Sequence, residues 1–184
     1  MEKSEALRAQ ARQHYELGRL RAGLRFGLWT LPMVGVSLWS NGWSSATCFV
    51  GLLLFVGVVA LWWRGMAWGQ AIRPGLLAGI APLMIPILLR TQGPCCTGDA
   101  CWSVCMASCI AGGLVAGIGI GLSAPVRSGP VQFMVGAIFL ASLAGLLGCA
   151  VVGAAGVVGM VASLLASSLA TTVLARSGWA ASAR

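Results

Sequence analysis

Seven cysteines are the residues of this chain whose side chains are best suited to chemistry. They are Cys48, Cys95, Cys96, Cys101, Cys105, Cys109 and Cys149. Clustered thiolates bind soft metal ions such as zinc, cadmium, mercury and copper, and a pair of thiols can be oxidised to a disulfide. If Asp99 caps a helix, the three cysteines from 101 to 109 recur every four residues along one stripe of that helix. The thiols could therefore converge, although no CxxC pair favours a metal site by spacing alone.

Other kinds of chemistry lack their usual residues in this sequence. The chain has one histidine, His14, and contains no Walker loop, no GxSxG and no HExxH motif. The long apolar stretches contain no carboxylate, whereas carriers that couple transport to ions usually hold one at mid-membrane. We therefore expect neither an enzyme nor a conventional secondary transporter.

The composition predicts that the cysteines belong to a membrane protein. The chain is 58% hydrophobic and 9% charged, whereas charged residues make up about a quarter of soluble domains. Six apolar stretches are long enough to cross about 30 Å of hydrocarbon as helices. They lie at 24–40, 46–63, 72–89, 103–122, 131–149 and 153–175. The first is short and the third contains Pro82 and Pro86, which makes these two the weakest spans.

The predicted fold is an all-α polytopic membrane bundle of about six transmembrane helices. Lysine and arginine near the ends of membrane helices are retained in the cytoplasm. With the N-terminus inside, all 12 of them except Arg90 fall on the cytoplasmic side, and all seven cysteines face outward. We therefore predict a multi-pass inner-membrane protein with a cytoplasmic N-terminal segment (1–23), a transmembrane domain (24–175) and a cytoplasmic tail (176–184). Contacts with anionic lipid, rather than with nucleic acid, account for the net charge of +8.

Three interpretations of the outward-facing thiols remain open. Some of them, Cys48 and Cys109 especially, could fill space in a membrane helix, because a thiol is apolar enough to sit there. The cysteines of the loop before the fourth helix could form structural disulfides, because such a loop lies in an oxidising compartment. The third interpretation is a redox sensor, or a site for a soft metal ion such as zinc, cadmium or mercury. Its candidate sensor thiols, which are also the candidate metal ligands, are Cys95, Cys96, Cys101, Cys105 and Cys149.

The N-terminal segment predicts an amphipathic helix over residues 4–25. Such a helix could rest on lipid headgroups and continue into the first span. It could also dock a cytoplasmic partner. The residues predicted to bind that partner are Leu7, Arg8, Tyr15, Leu17 and Leu20.

Small residues recur at four-residue spacing in the last three predicted helices. They include Gly113, Gly117 and Gly121 in the fourth helix and Ala137, Ala141 and Gly145 in the fifth. Faces of this kind let membrane helices approach closely. We expect them to pack the bundle, and they could equally serve homo-oligomerisation.

The whole pattern resembles bacterial membrane-bound anti-sigma factors, and among them the negative regulators of sigma F type. The features that carry the resemblance are a short cytoplasmic N-terminus, six spans, a cysteine at the outer start of the fourth helix, the Ala124-Pro125 turn and a cysteine at the outer end of the fifth helix. In that family the N-terminal segment holds an extracytoplasmic-function sigma factor, and outward-facing cysteines release it in response to metal or oxidative stress. By position, these cysteines correspond to Cys101, with Cys105 as the near alternative, and to Cys149. Gly148 stands where the family commonly has a histidine.

The sequence is therefore interpreted as a membrane-bound anti-sigma factor that responds to stress through its thiols. A second interpretation is a soft-metal permease similar to mercuric-ion transport proteins, in which the vicinal pair Cys95 and Cys96 would receive the ion. The chain has no cysteine at mid-depth or on the cytoplasmic side to continue such a relay. A structural subunit of a membrane complex is a third alternative.

Overall fold

The chain forms a bundle of α-helices, seen here in a computed structural model that describes residues 2–92, 99–124, 130–149 and 153–182. These residues contain eight helices and no strand. The helices are α1 (Glu2–Leu28), α2 (Leu31–Asn41), α3 (Ser45–Arg64), α4 (Met66–Gln70), α5 (Ile72–Gln92), α6 (Asp99–Ser123), α7 (Pro130–Cys149) and α8 (Ala154–Ser182). The predicted all-α fold is confirmed.

Four stretches of helix in the described part of the chain are long and apolar enough to cross a membrane. They are Ser45–Arg64, Ser103–Ser123, Val131–Cys149 and Ala154–Ala175. They coincide with the predicted spans at 46–63, 103–122, 131–149 and 153–175. The chain is therefore a membrane protein with transmembrane helices.

The stretch predicted as the first span, 24–40, is not one helix. Helix α1 ends at Leu28 and α2 begins at Leu31, because Pro32 in the first turn of α2 has no N–H and its ring would clash with the carbonyl of Leu28 in a continuous helix. The backbone N–H groups of Trp29 and Thr30 bond instead to carbonyls three residues back. The 11 residues of α2 measure about 16 Å, roughly half of the hydrocarbon thickness. The predicted boundary after residue 23 falls inside α1, and the predicted tail from 176 begins inside α8.

Helix α5 covers the predicted span at 72–89 without interruption. It runs through Pro82 and Pro86 for 21 residues, a length of about 31 Å that matches the hydrocarbon thickness. Because Pro86 has no N–H, the carbonyl of Pro82 lacks the donor that a helix normally supplies four residues later. This carbonyl faces the site described below.

Small residues hold α6 against α8 and α5 against α7. A Cβ added at Gly117 would overlap the hydroxyl of Ser167, and one added at Gly121 would overlap that of Thr171. A Cβ at Gly75 would lie 3.0 Å from the backbone of Ala137. The predicted role of the glycine face in packing the bundle is confirmed for α6.

Candidate thiol site

Two cysteines meet between α6 and α7. The Sγ atoms of Cys109 and Cys149 lie 2.6 Å apart, and both side chains are fully buried. Cys109 lies about three turns into α6, and Cys149 is the last residue of α7. Both are thiols rather than halves of a disulfide, and they need little movement to bond to one another.

Two further helices complete the surroundings of this pair. The thioether Sδ of Met160, in α8, lies 3.9 Å from the Sγ of Cys149. The same sulfur donates to the carbonyl oxygen of Pro82, in α5, over 4.0 Å. The site is thus a junction of α5, α6, α7 and α8, so a chemical change at the sulfurs would act on four helices at once. We call Cys109, Cys149 and Met160 the thiol site.

Glycines bring these four helices close enough for the sulfurs to meet. A Cβ at Gly148 would lie 2.7 Å from the carbonyl oxygen of Pro82, and one at Gly112 would lie 2.8 Å from the Cα of the same proline. A Cβ at Gly145 would overlap the sulfur of Met160. The lack of a side chain at Gly148, where the resembling family commonly has a histidine, therefore has a packing reason in this chain.

The stripe of cysteines on α6 continues from the thiol site toward the N-terminal end of that helix. Cys105 is half-buried one turn before Cys109, and its carbonyl accepts a hydrogen bond of 2.7 Å from the hydroxyl of Ser108. Cys101 lies a further turn before it on α6, and its side chain is outside the described part of the structure. Reagents that reach Cys105 would therefore be close to the buried pair.

The remaining predicted thiols do not join this site in the described structure. Cys95 and Cys96 lie outside the described residues. Cys48 is exposed in the first turn of α3. Of the candidate metal ligands, only Cys105 and Cys149 have described side chains, and no group of three His, Cys, Asp or Glu gathers among the residues that the structure describes.

Sequence reasoning missed two members of the site. It placed Cys109 among the space-filling thiols, whereas the structure sets its sulfur against Cys149. It did not single out Met160, whose thioether lies beside Cys149. The spacing of four residues on α6 was a usable signal for Cys109, but nothing local marks Met160 as a neighbour of a thiol.

The chemistry open to the thiol site follows from its three sulfurs. Two thiols can be oxidised to a disulfide. Two thiolates with a thioether form a soft ligand set of the kind that selects Cu(I) and similar ions. The site offers no oxygen or nitrogen side chain among its three members, so hard cations are disfavoured.

The predicted partner-binding residues lie on α1, which is a helix as expected. Tyr15 and Leu17 are exposed, and Leu20 is half-buried. The side chains of Leu7 and Arg8 are outside the described part of the structure. Among the side chains and glycines that the structure describes on α1, the buried positions are Gly23 and Gly27, which lie against α3. The described partner-binding residues are therefore not the most buried part of α1.

No protein-family model, curated protein or solved structure matches this chain. The fold and composition define its class, an all-α membrane protein, and any finer function must be argued from the thiol site and from α1.

Proposed function

We propose that this protein is a thiol-responsive membrane regulator. It would be an anti-sigma factor whose buried thiol site controls whether the N-terminal helix α1 binds or releases a sigma factor. The observation that carries the proposal is the contact of the Cys109 and Cys149 sulfurs at 2.6 Å, at a junction of four helices. A thiol pair so placed can change the packing of the bundle when it reacts. Packing that can adopt two arrangements is what a membrane regulator requires.

The reaction at the site can be written in two forms. A two-electron oxidant, such as a peroxide or an organic disulfide, would take two electrons while both S–H bonds break and one S–S bond forms, and two protons would leave. A soft metal ion would instead displace the two thiol protons and be held by the two thiolates, with Met160 as third ligand. Either product ties α6 to α7 and removes the thiol of Cys149 as a donor toward Pro82.

A chain of contacts leads from α7 to the N-terminal helix. The ring of Phe139, on α7, lies 3.0 Å from the position of a Cβ at Gly57, on α3. At its far end α3 holds α1 through Trp62, whose ring stacks on Phe26 with centroids 4.3 Å apart. The guanidinium of Arg19 donates to the carbonyls of Trp62 and Trp63. A shift of α7 would therefore reach α1 through one intervening helix.

Helix α1 has the form expected of an output element. Its residues 2–18 precede Arg19, which contacts α3. The side chains described between Arg12 and Leu17, which are those of residues 12 and 14–17, are all exposed. We propose that this surface, with Leu7, Arg8, Tyr15, Leu17 and Leu20, holds an extracytoplasmic-function sigma factor. The resemblance to regulators of sigma F type supports that choice of partner, and the predicted cytoplasmic position of α1 agrees with it.

The first experiment tests the thiol chemistry alone. Membranes containing the full-length protein are treated with diamide or hydrogen peroxide, free thiols are blocked, and disulfides are mapped by mass spectrometry. We expect a Cys109–Cys149 cross-link in the wild type, which Cys149→Ser removes and Cys48→Ser leaves intact. An oxidised protein in which Cys109 and Cys149 both remain free thiols would refute the redox form of the proposal.

The second experiment tests the output. Tagged wild type and the Cys109→Ser/Cys149→Ser variant are purified from native membranes with and without oxidant or cadmium, and co-purifying proteins are identified. We expect a sigma factor that leaves the wild type on treatment and stays on the double variant. A sigma factor released equally from both would place the sensor elsewhere. Absence of any sigma factor would favour a soft-metal permease or a structural subunit instead.

A further inference from the structure

Three arginines from three different helices line one cleft at the end of the bundle remote from the thiol site. They are Arg19 of α1, Arg64 of α3 and Arg73 of α5, and the cleft has a volume of about 730 Å³. Aromatic side chains form much of the rest of its wall, namely Tyr15, Phe26 and Trp62. We call this the arginine cleft. By the distribution of basic residues, this end of the bundle is predicted to lie at the cytoplasmic surface of the membrane.

The charges of the arginine cleft are not balanced by carboxylates in the described structure. Arg64 lies over the ring of Trp68 and Arg73 over that of Phe26, each at 5.7 Å from the ring centroid. Glu16 is the only acidic residue whose side chain the structure describes, and it does not line the cleft. Three like charges that face one space repel one another, so a bound anion would relieve that repulsion.

An apolar groove continues directly from the arginine cleft. It has a volume of about 720 Å³, lies between α2 and α5, and shares Phe26 and Arg73 with the cleft. Its other lining side chains include Met33, Val36 and Ile80. A charged cleft at the membrane surface is thus joined to an apolar groove that follows the helices.

We propose that the arginine cleft and the apolar groove together bind one anionic phospholipid of the bilayer. Its phosphate would lie among Arg19, Arg64 and Arg73, since guanidinium groups match phosphate oxygens in both charge and geometry. One of its acyl chains would follow the groove between α2 and α5. Cationic pockets between membrane helices on the cytoplasmic side are suited to such headgroups. The groove selects a lipid over a free anion, because inorganic phosphate would leave it empty.

The headgroup half of the proposal is tested by lipid retention. The full-length protein in detergent micelles is titrated with phosphatidylglycerol or phosphatidylcholine, and bound lipid is counted by native mass spectrometry. We expect a preference for phosphatidylglycerol that falls about tenfold or more in Arg64→Gln/Arg73→Gln. Arg12→Gln removes a charge from the exposed part of α1 outside the cleft and should keep the preference. Equal retention of the two lipids by the wild type, or an equal loss in Arg12→Gln, would overturn the proposal.

The proposed position of the acyl chain is tested by filling the groove with a larger side chain. Val36→Trp would fill the groove between α2 and α5, whereas Val158→Trp adds the same bulk to an exposed position of α8. We expect only Val36→Trp to reduce retention of phosphatidylglycerol. A parallel thermal-shift titration with inorganic phosphate should stabilise the wild type far less than the lipid does. If phosphate stabilises it equally, the site holds a free anion. If Val36→Trp retains the lipid as wild type does, the acyl chain does not lie in the groove. Either result overturns the proposal.

Discussion

Two parts of this bundle are held together by different kinds of contact. Helices α5 to α8, around the thiol site, pack through residues so small that backbone touches backbone, as at Gly117 against the carbonyl of Leu164. Helix α1 is held to α3 by large side chains, the stacked Phe26 and Trp62 and the arginine that reaches the end of α3. Membrane helices gain little from the hydrophobic effect between them, so close packing and hydrogen bonds carry the association.

This difference indicates how each part can move. A backbone contact between small residues admits no gradual displacement, because there is no flexible side chain to take up a shift, so these helices change only by a step from one packing to another. Aromatic and arginine side chains have rotamers to exchange and can follow a neighbour. We therefore expect substitutions near the thiol site to unfold or preserve the bundle as a whole, and those around Trp62 to loosen α1 alone.

The largest effect is expected for Gly117→Leu. A side chain there would overlap the hydroxyl of Ser167 and the carbonyl of Leu164, neither of which can rotate far away. Overpacking typically costs about 1–3 kcal/mol of unfolding free energy, and we expect the upper end of this range here because one of the obstacles is backbone. Thermal unfolding in detergent, followed by size-exclusion chromatography, measures the loss.

Gly119→Leu is the matched control, because a Cβ at Gly119 meets nothing within 4 Å on the same helix. It should change the melting temperature little. Comparable destabilisation by the two substitutions would contradict the contact of α6 with α8 as its cause, since leucine is a better helix former than glycine at both positions.

A smaller loss is expected for Gly65→Ala at the end of α3. Gly65 has φ +72° and ψ −173°, a backbone conformation that is essentially restricted to glycine and costs other residues about 1–3 kcal/mol. The added methyl group would also displace the guanidinium of Arg19. Gly69→Ala, where a Cβ meets nothing within 4 Å, is the control. The free energy of unfolding should fall by about 2 kcal/mol in the first variant and barely change in the second.

The apolar runs were enough to predict the helices, because a chain in lipid must satisfy its backbone within each helix. The break between α1 and α2 was missed, since the segment from Trp29 to Pro32 contains no glycine and only one polar residue, Thr30, to mark a turn. The break follows from the clash of the Pro32 ring with the carbonyl of Leu28, four residues earlier. The packing role of the α6 glycines could be predicted, because their four-residue spacing is visible within one short stretch of sequence.

The partner of Cys149 could not be read from sequence. Three cysteines share one stripe of α6, and each step along it moves the sulfur by about 6 Å. Which of them meets Cys149 depends on how far α6 slides against α7, and that is set by Gly112 and Gly148 packing on Pro82. These contacts join three helices, so no single stretch of sequence contains them.

Trp62→Ala should loosen α1 while leaving the rest of the bundle folded. It removes the stack on Phe26, worth about 1.5 kcal/mol, and so raises the population of undocked α1 by about tenfold. The rate of limited trypsin cleavage at Arg21 and Arg25 reports that population. Trp63→Ala alters the neighbouring, exposed ring and should leave the cleavage rate near that of wild type. Equal cleavage of the two variants would contradict the docking of α1 through the stack.

The smallest effect is expected at a single hydroxyl between α6 and α8. Ser163 Oγ lies 3.1 Å from the carbonyl oxygen of Ile110 and 2.9 Å from that of Met160, and its one proton must be shared between them. Hydrogen bonds between membrane helices contribute about 0.6 kcal/mol on average. Ser163→Ala should therefore lower the unfolding free energy by about that amount. Ser177→Ala, which removes only a bond within an exposed turn of α8, should have no measurable effect.

A double variant then separates the hydrogen bond from the packing. Gly113→Ala brings a methyl group onto both the hydroxyl of Ser163 and the carbonyl of Met160. Removing the hydroxyl with Ser163→Ala clears only one of these obstacles, so Gly113→Ala/Ser163→Ala should remain nearly as unstable as Gly113→Ala. Recovery of stability in the double variant would show that a side chain, and not the α8 backbone, sets the distance between the helices. The contrast between the two parts of the bundle would then fail at the closest backbone contact of α6 with α8.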